Sequence, residues 1–194
     1  MVARLIEPAT PRTMSFWRPP TYRPLTPAEC AERAADPAAS LRRRMTAFVY
    51  EGVLLFGIVV PVALVYGVVT NQRHGMEGRL GLGLTLFFTL LLYFVWCWSR
   101  TGQTLAMKTW HIQMVTPTGA RPPVWRAALR YLASWLWFAP PLVAASTLGW
   151  HSTGQITGAL AGWVLAYGLL SYVLPRRQFL HDLVAGTRLI DARP

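Results

Sequence analysis

Long apolar runs separated by short polar segments make up most of this chain. The runs cover residues 46–69, 80–98, 128–148 and 155–174. Each is long enough to cross a hydrocarbon core of ~30 Å as a helix that rises ~1.5 Å per residue. The pattern predicts an all-α integral membrane protein with four transmembrane helices.

Two of these runs contain residues that affect helix geometry. Pro140 and Pro141 fall inside the third run, and proline removes a backbone donor, so a kinked, broken or re-entrant helix is expected there. Gly154, Gly158 and Gly162 recur at the same spacing in the fourth run. Small residues at this spacing favour close helix packing, either within the chain or in a homo-oligomer.

Two of the polar segments have patterns of their own. Residues 110–115 alternate in the manner of a short strand, and residues 187–190 form a second candidate strand. We expect the two to pair on the cytoplasmic side. The apolar positions within residues 179–184 are spaced for one face of a short C-terminal interfacial helix, which Gly186 is expected to stop.

The distribution of basic residues predicts how the chain is oriented. The composition is 53% hydrophobic and 14% charged, with a net charge of +11. Of the 19 basic residues, 17 lie on the side of the predicted spans that holds both termini, which predicts cytoplasmic N- and C-termini in a bacterial inner membrane. Arginines that flank apolar runs face anionic headgroups, so membrane lipids are the expected partners and nucleic acid is not.

The first 40 residues differ from the rest of the chain. Residues 1–40 carry seven prolines and lack an apolar stretch long enough for a core or a signal segment. We predict a disordered cytoplasmic tail over residues 1–40 and a membrane domain over residues 41–191.

Four short motifs follow one another between about Arg42 and Asp191. The first two, at the start of the first run and after the second, are Arg44, Ala47 and Glu51, then Gly102, Gln103, Thr104, Leu105 and Lys108. The last two, at the start of the third run and after the fourth, are Ala127, Ala128, Leu129, Arg130 and Tyr131, then Leu180, His181, Asp182, Ala185, Gly186 and Thr187. In this order the motifs resemble the RDD family of small membrane proteins, which is named for one arginine and two aspartates. One departure from the name is Glu51, a glutamate. The resemblance implies a membrane protein and tilts the expected function toward transport.

The charged residues of these motifs are expected to form one cluster. An ionised Glu51 inside the first span costs ~2–3 kcal/mol unless it is paired. Arg44 shares its helix face but lies ~10 Å away along the axis, so it is a poor partner. Arg130 enters the third span from the same side, which predicts a Glu51–Arg130 bridge. Asp182 is expected to meet Arg44 at the same rim.

Two functions remain open for such a cluster. In a transporter of ions or small solutes it lines a cytoplasmic vestibule and binds a cation or a proton. In a non-catalytic membrane scaffold or assembly partner it only fixes helix ends. A transporter should contain a polar cavity at mid-membrane, whereas a scaffold should contain the rim cluster alone.

Enzyme chemistry is not expected from this sequence. The two cysteines and four histidines lack the spacing of a metal site, and no residue stands in the setting of an activated nucleophile. We therefore predict neither catalysis nor a metal nor a cofactor.

Overall fold

The computed structural model describes residues 24–71 and 78–193. Its helices and strands, in chain order, are α1 (Pro27–Ala35), α2 (Leu41–Val69), α3 (Arg79–Arg100), α4 (Leu105–Thr109), β1 (Ile112–Val115), α5 (Val124–Ser134), α6 (Ala139–Thr147), α7 (Thr153–Leu170), α8 (Leu180–Val184) and β2 (Arg188–Asp191). Short 3₁₀ turns at Trp135–Trp137 and Pro175–Arg177 complete the described part. The protein is thus mainly helical, with one small sheet.

Helices α2 and α3 are the two that are long and apolar enough to cross a membrane, among the residues described. They contain 29 and 22 residues, and only 0% and 6% of their most apolar windows are buried inside the protein. An apolar helix that the protein does not cover needs an apolar surrounding, which a bilayer supplies. These two helices correspond to the first two predicted spans.

The third predicted span is broken into α5 and α6. Between them, Trp135–Trp137 form a 3₁₀ turn and Phe138 leaves helical geometry. Pro140 and Pro141 then lie in the first turn of α6, where a missing N–H costs no intrahelical hydrogen bond. The prolines therefore begin a new helix, and the interruption precedes them. The fourth run is the single helix α7, of 18 residues.

The predicted two-stranded pairing is confirmed. β1 and β2 are antiparallel, with Ile112 opposite Asp191 and Val115 opposite Arg188. Gly102 lies beside β1 with φ +72°, and a Cβ there would approach the carbonyl oxygen of Met114 to 2.6 Å. Glycine at this position lets the loop after α3 run against the strand.

The prediction of a disordered tail is wrong for residues 27–35, which form α1, and residues 1–23 lie outside the described part. Thr26 and Glu29 cap the helix reciprocally through side chain and backbone. Cys30 and Ala34 pack against the sheet, while Arg33 Nη1 donates to the carbonyl oxygen of Asp191 at 2.7 Å. A short helix with little apolar surface is stabilised here by the distant C-terminal strand.

Gly119 allows a test of how α1 packs against the rest of the protein. Its φ is +79°, and a Cβ there would lie 2.3 Å from the backbone nitrogen of Ala31 in α1. We expect Gly119→Ala to displace α1 and raise the labelling rate of the buried Cys30 thiol roughly tenfold. The measurement uses a thiol reagent on a Cys97→Ser background. Gly149→Ala is the matched control, because Gly149 has φ +65° but open space around it. Equal labelling in both variants would contradict the role of this contact.

Candidate functional site

A buried ion pair joins α5 to α8. Arg130 Nε lies 2.6 Å from Asp182 Oδ1, and the Asp182 side chain is fully buried. The Arg130 guanidinium also stacks over the ring of Trp98, 4.3 Å from its centroid. Arg130 is therefore paired with Asp182, and the predicted Glu51–Arg130 bridge is wrong.

His181 lies beside this pair and is also buried. Its Nδ1 is 2.9 Å from the Tyr167 hydroxyl and its Nε2 is 3.4 Å from Arg130 Nη2. Burial lowers the pKa of His181 to about 4, and the charges of Arg130 and Arg44 add to that effect, while Asp182 opposes it. The imidazole is therefore neutral at neutral pH.

The pKa of Asp182 is set by two opposing effects. Burial by itself raises it, but the positive charge of Arg130 and further contributions from His181 and Arg44 outweigh burial and leave the pKa below its usual value. Asp182 is therefore ionised at neutral pH, and Arg130 balances its charge. Its second oxygen, Oδ2, has no hydrogen-bond partner within the described residues.

The closing motif fixes the position of Asp182. Gly186 ends α8 with φ +61°, a conformation that glycine adopts without strain. The backbone N–H and the hydroxyl of Thr187 both donate to the carbonyl oxygen of Asp182, at 2.9 and 3.3 Å. Arg126 Nη1 donates to the carbonyl oxygen of Gly186 at 2.9 Å. These motif residues act on the turn that holds the carboxylate in place.

Glu51 is held by hydroxyl groups. Its Oε1 accepts a hydrogen bond from the Tyr93 hydroxyl at 3.0 Å, and its Oε2 accepts one from the Thr104 hydroxyl. Thr104 also caps α4 by accepting from the backbone N–H of Met107. No ion pair of Glu51 occurs among residues 24–71 and 78–193, so two neutral donors stabilise its carboxylate.

The loop that supplies Thr104 is itself anchored to β1. Gln103 Nε2 donates to the carbonyl oxygen of Ile112 at 2.7 Å. The backbone N–H of Met114 donates to the carbonyl oxygen of Gly102 at 2.8 Å. Lys108, the last residue of this motif, is exposed at the end of α4. The motif thus positions a hydroxyl for Glu51, and Lys108 does not belong to the cluster.

Arg44 is the fourth member and is only 4% exposed. Its guanidinium stacks on Phe179, 4.1 Å from the ring centroid, and its Nη2 donates to the Ser171 hydroxyl at 3.2 Å. It forms no ion pair with Asp182, so that predicted contact is also wrong. Its Nε and Nη1 are buried and have no hydrogen-bond partner within the part of the chain that is described.

These groups meet at a cavity of about 490 Å³, which we call the chamber. Arg44, Glu51, Thr104, Arg130 and His181 contribute to its lining. The rest of the lining is mostly aromatic and aliphatic, and its rings come from Phe48, Phe94, Trp98, Tyr131, Trp135, Trp137, Phe138 and Phe179. Chambers of this size and composition are typical of sites for small molecules.

The four charged residues named from the sequence lie in one region of the structure, but sequence reasoning missed the neutral side chains that hold them. Tyr93, Tyr167 and Ser171 all bond directly to cluster members. Each is a hydroxyl inside or at the end of an apolar run, which is a usable signal because a buried hydroxyl needs a partner.

The comparisons with known proteins agree with the motifs. A family model described as the RDD family matches residues 38–186. No curated protein and no solved structure matches the chain. Within residues 24–71 and 78–193, no group of three or more His, Cys, Asp or Glu side chains is placed to hold a metal ion.

Proposed function

Because the chain belongs to the RDD family and is a membrane protein, we propose that it binds an ion or a small solute in the chamber and takes part in its transport. The observation that carries this proposal is the chamber itself, which joins buried charged groups to an apolar wall. Intramembrane ionisable residues that face a cavity mark solute and ion paths in membrane proteins. Catalysis is not part of the proposal.

The proposed topology is multi-pass, in a bacterial inner membrane, with both termini in the cytoplasm. Helices α2 and α3 supply two spans, and we propose that α5 with α6, and then α7, supply the other two. The 17 basic residues that this arrangement leaves on the cytoplasmic side support it, and they favour contact with anionic lipid headgroups. The glycines of α7 support packing against a neighbouring helix, in the same chain or in a second copy.

A second candidate is a membrane scaffold that binds a ligand or a partner without moving a solute. The observation that favours it is the extent of the chamber along α2. The lining residues of this helix end at Leu55, whereas the helix continues to Val69. In this conformation the chamber therefore extends along only part of α2, and a scaffold needs no cavity that crosses the membrane.

Reconstitution into liposomes separates the two candidates. We expect the wild type to move protons, alkali cations, chloride or a membrane-impermeant aromatic sulfonate faster than protein-free liposomes do. Glu51→Gln should change that flux about tenfold or more, because it removes the one carboxyl group among the described side chains that line the chamber. Dyes sensitive to each solute give the readout.

Glu32→Gln is the matched control, because Glu32 is an exposed acid on α1. It should leave the flux unchanged. If the wild type moves none of these solutes, and Glu51→Gln changes only the amount of folded protein, the scaffold candidate is favoured and transport of these solutes is excluded.

A further inference from the structure

The charges around the chamber are unevenly satisfied. Arg130 and Asp182 neutralise each other across 2.6 Å. Both oxygens of Glu51 accept hydroxyl hydrogens, from Tyr93 and from Thr104. Among these four charged side chains, only Arg44 lacks both an ion-pair partner and a full set of hydrogen bonds in the described structure.

A buried guanidinium in this state is costly, because its charge has left water and its Nε and Nη1 groups have no acceptor within the described residues. The stacking on Phe179 and the single bond to Ser171 hold the side chain in place without supplying a negative charge. Arg44 also lines the chamber. Arg44 therefore has room for an anionic partner, because Asp182, the carboxylate whose charge it feels, is already paired with Arg130.

Glu51, on the same face of α2 as Arg44, limits how much negative charge the ligand can carry. Arg44 and Glu51 are seven residues apart on α2 and both line the chamber, which separates their Cα atoms by ~10 Å along the axis. An ionised Glu51 repels a second negative group at its end. Apart from Thr104, Arg130, Ser134 and His181, the walls around these two residues are aromatic and aliphatic.

We propose that the chamber binds a monoanionic amphiphile, with its carboxylate or phosphate group on Arg44 and its apolar body against the aromatic walls. This proposal names the class of solute for the chamber and rests on the proposed function only in using the same site. An anionic membrane phospholipid, whose phosphate is a diester with one negative charge, and a free acyl carboxylate or dialkyl phosphate share this chemistry. The chamber volume of about 490 Å³ accommodates either head group with part of a chain.

The test uses the full chain in nanodiscs of uncharged lipid, titrated with octanoate, methyl octyl phosphate, 1-octanol and octylammonium. Calorimetry and tryptophan fluorescence report binding, the latter because Trp98 and Trp137 line the chamber. We expect the two anions to bind at least about tenfold more tightly than octanol or octylammonium, since a hydrogen-bonded charge contributes that much. Equal affinity for octanoate and octanol would overturn the proposal.

Variants assign the selectivity to Arg44. Arg44→Gln should weaken octanoate binding about 10- to 100-fold and leave octanol unaffected, whereas Arg44→Lys, which keeps the charge, should retain part of the selectivity. Arg42→Gln removes the same charge from an exposed neighbouring position and should change the affinity less than about twofold, because an exposed charge contributes little. An equal loss in Arg42→Gln and Arg44→Gln would overturn the proposal by showing only surface attraction. If Arg44→Gln does not fold, the wild-type selectivity and Arg44→Lys decide the matter.

A second set of nanodiscs, with an anionic phospholipid, identifies the source of the ligand. If a membrane lipid occupies the chamber, it competes with octanoate, and this competition is weaker in Arg44→Lys than in the wild type. Native mass spectrometry then also detects a lipid retained by the protein. If the ligand is a free solute, the octanoate affinity is unchanged. Selective binding of anions without flux in liposomes contradicts the proposed transport and leaves the proposed amphiphile site standing. Flux without selective anion binding supports transport and overturns the amphiphile site.

Discussion

Asp182→Asn is expected to lower the free energy of unfolding by about 3–5 kcal/mol, because it leaves the buried Arg130 guanidinium without a negative partner. The asparagine oxygen can still accept one hydrogen bond, but it cannot balance the charge. Thermal unfolding in a mild uncharged detergent, followed by tryptophan fluorescence, measures the effect as a fall in Tm. Much less folded protein is also expected in the membrane.

Two further variants show whether the ion pair is responsible. Asp191→Asn is the matched control, because Asp191 pairs with Arg43 and Arg193 but is partly exposed, and exposed pairs contribute about 1 kcal/mol or less. The double variant Asp182→Leu with Arg130→Leu removes both charges and should recover part of the loss. A Tm for Asp182→Asn equal to that of the wild type would contradict a structural role for the pair.

Asp182 and Glu51 differ in what their substitution would reveal about flux. A carboxylate that is fully buried and neutralised by an arginine is poorly suited to bind a transported ion, and its loss affects folding first. Glu51 has neutral partners and lines the chamber directly. Changes in flux are therefore informative at Glu51 and hard to interpret at Asp182.

The sequence predicted which charged residues gather but not how they pair. Spacing along a helix gives the depth and the face of a side chain, and this brings Arg44, Glu51, Arg130 and Asp182 to one region. Partner choice depends on the rotation of α5 and the placement of α8, which no periodicity encodes. As a result, Arg130 meets Asp182 while Glu51 is bound by hydroxyls from α3 and from the loop before α4.

Local patterns were sufficient for the sheet and insufficient for α1. The alternation in residues 110–115 and the segment after Gly186 contain the information for two short strands. Helix α1 is nine residues long, and helices of that length are marginal alone. It is stabilised by contacts with residues more than 150 positions away, such as Arg33 with Asp191 and Ala34 with Arg188. A pattern read within a short window does not include them.

Acidification from pH 7 to pH 5 is expected to destabilise the protein by about 2 kcal/mol through His181 alone. In the folded protein the pKa of His181 is about 4, lowered first by burial and then by the charges of Arg130 and Arg44. In the unfolded chain an imidazole has a pKa of ~6.5. Between these two values the unfolded chain binds a proton that the folded protein does not, so stability is complete above pH ~6.5 and falls as the pH approaches 4. Asp182, whose pKa is also lowered, adds to the loss only at more acidic pH.

His181→Asn tests this assignment, because the asparagine side chain can reach the Tyr167 hydroxyl that now lies 2.9 Å from Nδ1 but does not titrate. We expect the variant to be less stable at pH 7 and to lose much less Tm than the wild type between pH 7 and pH 5. His151→Asn, at an exposed position, should keep the wild-type dependence on pH. If His181→Asn keeps the full slope, another group carries the titration, and the buried neutral imidazole is not what limits stability in acid.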